Sequence, residues 1–283
     1  PHRFAALGRL GILSPTGRCQ AFGDAADGTV LGEGAGVVVL RRLDEAIAAG
    51  DRIYGVIKGT GVSSGTGTVG FTAPNPDAQS AAIKAALNVA NVDPRTISYI
   101  ETHGTGTALG DPIEVRGISL GYSDHTLYDE QVRVEPHCRL ASIKPNIGHL
   151  EAGAGVVGLI KVLLQLHHKR LVPSLTSEIP NRQIPFDTLP LQIQQECEPW
   201  EQPTVESDGK RHYLPRRAGL SSFGVGGSNV HVIVEESPSF SSTEIAPAVH
   251  TQQVLTLSAR NQEAIEQQLL NVRQHLEAST DAD

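Results

Sequence analysis

Twice between residues 97 and 167 the chain sets a short apolar run, a polar loop and a helix-period segment in series. Ile97-Ser98-Tyr99-Ile100 runs into Glu101-Thr102-His103 and a glycine-threonine loop, after which Asp111-Pro112 opens a helix. Arg139 to Ile143 runs into Lys144 to His149 and then an Ala/Gly/Val/Leu segment that reaches about His167 and reads as a buried helix, apolar nearly all round. Strand, loop and helix in series are the unit of α/β folds, whose chemistry collects at the C-terminal ends of the strands. The sequence therefore predicts an α/β domain with its site near His103 and Lys144.

The flanking segments extend that pattern. The glycine-dense stretch Gly28 to Gly36 leads into Val37-Val38-Val39-Leu40, a β-branched run that reads as a buried strand. Asp44 to Ala49 fits a short helix and Ile53 to Val62 a second strand. Asn75 before Pro76 is a helix start, with a side-chain cap and a preorganised first residue; Ala78 to Ala90 follows, ended by Asp93-Pro94. Pro173 to Thr204 is proline- and glutamine-rich and predicts irregular chain, whereas Ala218 to Phe223 and Val230 to Val234 predict two strands around Gly224-Val225-Gly226-Gly227. A core domain over 1–236 is expected, then a Ser/Thr/Pro/Ala linker over 237–250. An appended element over 251–283 carries an amphipathic helix from about Asn261 to Leu276 and an acidic tail, Asp281 to Asp283, expected to be disordered.

Charge and cysteine content narrow the function classes. Lys and Arg number 23 against 31 Asp and Glu, so no net positive charge drives nucleic-acid binding. Val156 to Leu166 is interrupted by Gly158, Lys161 and Gln165 and is too short to cross a bilayer, so no membrane role is expected. Cys19, Cys138 and Cys197 are far apart without a paired spacing, which fits a reducing, cytoplasmic setting. Eleven histidines are present, yet none forms a compact ligand pair, and no metal site is expected. The chain opens at Pro1 with no charged-then-apolar leader and contains no methionine, which fits a native N-terminus lying further upstream.

Three segments could carry chemistry. In Glu101-Thr102-His103-Gly104-Thr105-Gly106-Thr107, a ring nitrogen at a strand end and nearby hydroxyls can meet a ligand; the alternative is a histidine packed at a turn. In Ser142 through Glu151, Lys144 and His149 sit between a buried strand and a buried helix, where apolar surroundings perturb proton affinity; alternatively they only satisfy carbonyls and a helix end. In Ser221-Ser222-Phe223-Gly224-Val225-Gly226-Gly227-Ser228-Asn229 the glycines permit close backbone approach, which a tight hairpin also explains.

Together these three segments, in this order and spacing, resemble the β-ketoacyl synthase (ketosynthase) domain of modular type I polyketide synthases. Gly17-Arg18-Cys19-Gln20-Ala21-Phe22, Asp27 through Gly36 and Gly70-Phe71-Thr72-Ala73-Pro74 agree with it. The resemblance implies a thiolase-like layered αβαβα sandwich, here mainly its C-terminal half, and decarboxylative Claisen condensation by a dimeric enzyme on substrates carried by the phosphopantetheine of an acyl carrier protein. It implies that His103 and His149 are the catalytic histidines and that Lys144 supports them. Thr105 and Thr107 match positions that bind the pantetheine arm, and Val225 takes the place of a mobile residue beside the nucleophile. Phe223, Gly224 and Asn229 join them as substrate-site residues, with Asp111 and Glu151 in support. No cofactor bound by this chain is implied.

One departure governs the expectation. The family's nucleophilic cysteine lies in a segment upstream of everything here; Cys19 matches a recurrent non-nucleophilic cysteine, and Cys138 and Cys197 lie outside the motifs. The chain is therefore expected not to complete the cycle alone and to need an N-terminal ketosynthase half, without which an apolar face and a sheet edge stand open. The alternative is a non-condensing remnant that transfers acyl groups or acts as scaffold. Arg216-Arg217 is the candidate docking patch for an acidic carrier protein.

Overall fold

In a computed structural model of the chain, the described residues are 2–65, 73–123, 134–135, 138–175, 177–207, 210–238 and 255–278. The expected Gly70–Thr72 match, most of the 237–250 linker and the acidic tail lie outside them. The chain divides into a unit over Pro1–Pro238 and another over Ser239–Asp283.

The first unit contains helices α1 (His2–Arg9), α2 (Leu43–Ala48), α3 (Pro76–Ala90), α4 (Gly110–Ser123), α5 (Lys144–Ile147) and α6 (Ala154–His168). Its strands are β1 (Val56–Ser64), β2 (Tyr99–Glu101), β3 (Val134–Glu135), β4 (Cys138–Ala141), β5 (Arg170–Leu171) and β6 (Leu191–Ile193). They continue with β7 (Glu198–Pro199), β8 (Thr204–Ser207), β9 (Lys210–Tyr213), β10 (Arg217–Phe223) and β11 (Ser228–Glu235). Six strands form the main sheet in the order β1-β11-β10-β2-β4-β6. The β10–β2, β2–β4 and β4–β6 pairs are parallel, whereas β1–β11 and the β10–β11 hairpin are antiparallel. Strands β3, β8 and β9 make a small second sheet.

Both faces of the main sheet are covered, and the two-residue strand period shows it. Ile100, Leu140 and Ile233 enter one apolar cluster with Ile83, Leu87 and Ile118 of α3 and α4. Their neighbours Tyr99, Ala141 and Val234 enter the other, with Val162 and Leu166 of α6 and with Trp200. A strand covered on both sides shows no alternation of buried and exposed residues, and Tyr99, Ile100 and Glu101 of β2 are all buried. Helix α3 starts as expected: the Asn75 side chain accepts from the N–H groups of Asp77 and Ala78, and Pro76 is its first residue. It stops at Asn91 in the left-handed conformation, before Asp93-Pro94, which instead cap a short 3-10 turn. Strand β1 lies against α3 so closely that a Cβ on Gly61 would stand 2.0 Å from the Ala82 carbonyl oxygen. On β11, His231 is fully buried between the Ser221 hydroxyl at 3.0 Å and the Tyr122 hydroxyl at 3.2 Å.

Four expectations change. Val37 to Leu40 pairs with none of the described strands, and Val37 and Val39 are 88% and 95% exposed, because β propensity makes no strand without a neighbour to bond. Lys144 to Ile147 is a one-turn helix with Pro145 in its first turn, where the missing N–H costs nothing. Helix α6 buries one stripe, which includes Lys161 and Gln165, while Leu164 is exposed. The Pro173–Thr204 region contributes β6, which extends the main sheet because β4 offers it a parallel edge. In the second unit, α7 (Gln262–Ala278) forms where the amphipathic pattern places it.

Candidate active site

Strands β10, β2 and β4 are adjacent and parallel, so the segments that leave their C-terminal ends converge. His103 follows β2 by two residues, Lys144 follows β4 by three, and Phe223 ends β10. The His103 and His149 rings meet edge to face at 5.3 Å between centroids, and Phe223 lies 5.9 Å from His103. His149 arrives through a bridge between the 149 and 31 backbones: its N–H donates to the Val30 carbonyl at 2.6 Å, and its carbonyl accepts from Gly32 at 3.1 Å. Gly148 permits this approach, at φ 75° and with only 2.7 Å between a virtual Cβ and the Gly32 nitrogen.

Each imidazole is held at Nδ1. The Phe223 N–H donates to His103 Nδ1 at 3.4 Å, and the Glu151 N–H donates to His149 Nδ1 at 2.9 Å. With Nδ1 accepting, the proton of each neutral ring sits on Nε2, leaving two N–H donors to face a ligand. Glu151 reaches this position with φ at 54°, a costly conformation for a residue with a side chain. Burial, then the charges of Lys144 and His149, holds His103 well below the ordinary histidine range, and burial with Lys144 brings His149 to about 4. Both rings are neutral at physiological pH.

Lys144 is 4% exposed, and its ammonium donates to the His103 carbonyl. Burial lowers its proton affinity while Glu114, Glu101, Cys19 and Asp111 raise it. A cleft of about 400 Å³ lies beside it, bounded by Cys19, Val30, Leu31 and Asn146.

The other expected residues separate into framework and rim. Asp111 is fully buried, accepting from the Phe22 N–H at 2.7 Å and the Gly106 N–H at 3.1 Å, so it clamps the 19–22 segment to the histidine loop. Burial, opposed by those bonds, brings its carboxyl up to about 6. The Thr107 hydroxyl accepts from the Gly110 N–H at 3.0 Å at the start of α4, and it stands 3.4 Å from the Thr105 hydroxyl. The Thr105 carbonyl accepts from the Cys19 thiol. Gly224 bonds across the hairpin turn to Ser228 at 2.7 Å, and buried Asn229 braces it through the Gly227 carbonyl at 3.1 Å. Val225 stands at the tip, 69% exposed.

Arg216 and Arg217 do not form an open basic patch. Arg216 pairs with Glu236 at 2.8 Å and Arg217 with Glu235 at 2.7 Å, both largely buried, so their charges are neutralised within the hairpin. Cys19 and Cys138 are buried, and burial drives the Cys19 thiol up to about 11, which removes its nucleophilic form. Among the described residues no cluster of His, Cys, Asp or Glu is placed to share a metal ion.

Sequence reasoning missed three buried charges. Glu114 accepts from the His103 N–H at 2.6 Å and the Gly104 N–H at 2.7 Å. Glu101 and Lys161 form an ion pair at 2.7 Å under the site. Glu114 had a signal: with Asp111, Val115 and Ile118 it falls at i, i+3, i+4 and i+7, which places a carboxylate in an inward helical stripe.

Comparisons with known proteins agree across the chain. The N-terminal domain model of β-ketoacyl synthases matches residues 1–46, the C-terminal domain model 54–178, and the ketoacyl-synthetase C-terminal extension 180–283. Polyketide synthases PksL and PksM of Bacillus subtilis are 46% and 47% identical over 94% of this chain, which spans 6% of each. The solved oxazolomycin ketosynthase domain of Streptomyces albus superposes with a TM-score of 0.84 at 38% identity. A ketosynthase from module 6 of the bacillaene synthase of Bacillus subtilis gives 0.82 at 37%. All of this chain is covered in both, and it spans about half of each solved chain, 47% and 46%.

Proposed function

This chain belongs to the β-ketoacyl synthase family, and from the site it carries we propose that it supplies the histidine pair for chain elongation in a polyketide synthase. In this reading a cysteine outside the chain, in the N-terminal remainder of the domain, first takes an acyl group from the phosphopantetheine of an acyl carrier protein. A malonyl-type thioester on a second carrier then loses carbon dioxide, and the electron pair of the broken bond passes into the enolate. The enolate carbon attacks the acyl-cysteine carbonyl, the new carbon–carbon bond forms, and the cysteine thiolate leaves.

His103 and His149 serve the developing enolate oxygen. The observation that carries this reading is the pair of backbone N–H groups bonded to their Nδ1 atoms, which leaves neutral Nε2–H donors preset where negative charge grows. Neutral donors suit the task because a neutral imidazole N–H is too weak an acid to hand its proton to the enolate oxygen, so it stabilises the charge by hydrogen bonding alone. Lys144 holds the His103 peptide and supplies a nearby positive charge. Asp111 and the Glu151 backbone fix the loops, Thr105 and Thr107 line the path of the pantetheine arm, and Phe223, Gly224, Val225 and Asn229 shape the wall beside the nucleophile. The complete enzyme works as a homodimer.

The test is intact-mass analysis of the ketosynthase that contains this chain, with an acyl thioester, followed by a condensation assay with malonyl-carrier. Acylation of a cysteine outside residues 1–283, with product formed by wild type and lost in His103→Gln and His149→Gln, is expected. Acylation without condensation in wild type would replace this reading with the transfer or scaffold role.

A further inference from the structure

Beneath the histidines a single carboxylate joins the three elements that carry the site. Glu101 ends β2 and is 1% exposed. One of its oxygens accepts from the Ile143 N–H at 2.7 Å; the other accepts from the Tyr99 hydroxyl at 2.6 Å and pairs with the Lys161 ammonium at 2.7 Å. Lys161 comes from α6, is 8% exposed, and stands 5.8 Å from the centre of the Tyr99 ring. The cluster is anchored from behind by Trp200, which packs on Tyr99 at 5.6 Å and donates to the Ser98 hydroxyl at 2.8 Å.

The connectivity is what matters. Glu101 lies two residues before His103, and Ile143 lies one residue before Lys144, whose ammonium holds the His103 carbonyl. Helix α6 closes the third side: a Cβ on its Gly158 would stand 3.3 Å from Glu101 Cγ. A buried carboxylate with an apolar helix on it needs a counter-charge, and the stripe of α6 that faces it supplies Lys161 among Val162, Gln165 and Leu166. None of the contacts above joins either side chain to an imidazole.

We propose that the Glu101–Lys161 ion pair is a positioning device for condensation, setting the His103 strand end, the Lys144 turn and α6 in one fixed relation. The inference rests on the reading that the histidines act on the enolate. Its chemistry is a geometric lock: two oxygens, each facing donors on a different element, of which a neutral amide can serve only one. Glu101→Gln must turn an NH₂ toward either the Ile143 N–H or the Tyr99 and Lys161 side, and so releases one element from the other two.

The experiment compares Glu101→Gln and the doubly neutral Glu101→Gln/Lys161→Met with wild type, all in the ketosynthase that contains this chain. Three quantities are read: thermal midpoint, rate of cysteine acylation, and rate of condensation. The double variant keeps no unpaired buried charge, so it should fold with a midpoint close to wild type. Acylation should proceed at the wild-type rate, and condensation should fall about 10- to 100-fold, the loss typical of a sub-ångström to ångström displacement of catalytic groups. A pair that merely stabilises the fold would slow both half-reactions by one factor, and that result, or wild-type condensation in either variant, overturns the proposal. Wild type that acylates but never condenses would instead remove the functional reading itself, and the inference with it.

Discussion

Replacing Glu114 by Gln attacks the histidine loop without touching a ring. Its two oxygens hold consecutive backbone N–H groups, those of His103 and Gly104, at 2.6 and 2.7 Å. Burial pushes the carboxyl up to about 7, with the two N–H bonds opposing the rise, so at pH 8 it is ionised and both bonds are charge-assisted. An amide of the same shape keeps one bond and presents an NH₂ to the other donor, leaving a buried N–H without an acceptor. One lost charge-assisted bond and one unsatisfied donor, reduced by the easier burial of a neutral side chain, amount to about 3 kcal/mol. In a folded unit of this size that lowers the thermal midpoint by roughly 6 to 12 °C. The peptide that moves also carries the Lys144 contact and leads directly to the His103 ring. Condensation at pH 8 should therefore fall about 100-fold even at temperatures where the variant is fully folded, with acylation retained. A midpoint within 2 °C of wild type together with an unchanged condensation rate would refute the reasoning.

Three more outcomes are expected of the same protein. Gly61→Ala drives a methyl into the α3 backbone, 2.0 Å from the Ala82 carbonyl oxygen, and should cost about 3 kcal/mol, whereas Gly8→Ala, with open space around it, should be nearly silent in the same melts. His231, which burial lowers to about 3, takes up a proton only when unfolded between that value and about 6.5; stability should fall with decreasing pH across this window by about 1.4 kcal/mol per unit at most, and His231→Gln should flatten that limb of the pH–stability curve. Among the cysteines of this chain, brief alkylation at neutral pH should label the exposed Cys197 and spare Cys19 and Cys138, as read by peptide mass.

The legible parts of the molecule were those in which local chemistry and tertiary context agree. The β10–β11 hairpin could be read because Ala218 to Phe223 and the β-branched run Val230 to Val234 flank a glycine turn, and the start of α3 because Asn75 and Pro76 act locally. Val37 to Leu40 has the same composition as a core strand but lacks a bonded neighbour among the described residues, and composition does not report neighbours. Strand β6 is the converse: Leu191-Gln192-Ile193 is too short to stand out within a proline-rich stretch, and β4 alone makes it a strand. At the site, the histidines and Lys144 were identified by motif and are brought together by the fold. The charges that support them were hidden because Glu and Lys are ordinarily surface residues, and only pairing across β2, α4 and α6 makes their burial tolerable.

The contact that sets the tautomer of His103 spans 120 residues of sequence, since its Nδ1 partner is the Phe223 backbone. Strand β1 likewise waits for β11 before it has its antiparallel neighbour. At a ribosome that adds about 5 to 20 residues per second, His103 leaves the peptidyl-transferase centre roughly 6 to 24 seconds before Phe223 is made. During that interval its imidazole is free to exchange its proton between the two nitrogens, and β2 has no β10 beside it. Translation therefore delivers the histidine loop early and its defining bond late, so a ribosome stalled anywhere between His149 and Phe223 holds a chain with both histidines already made and neither the hairpin nor the Nδ1 contact that fixes the proton of His103.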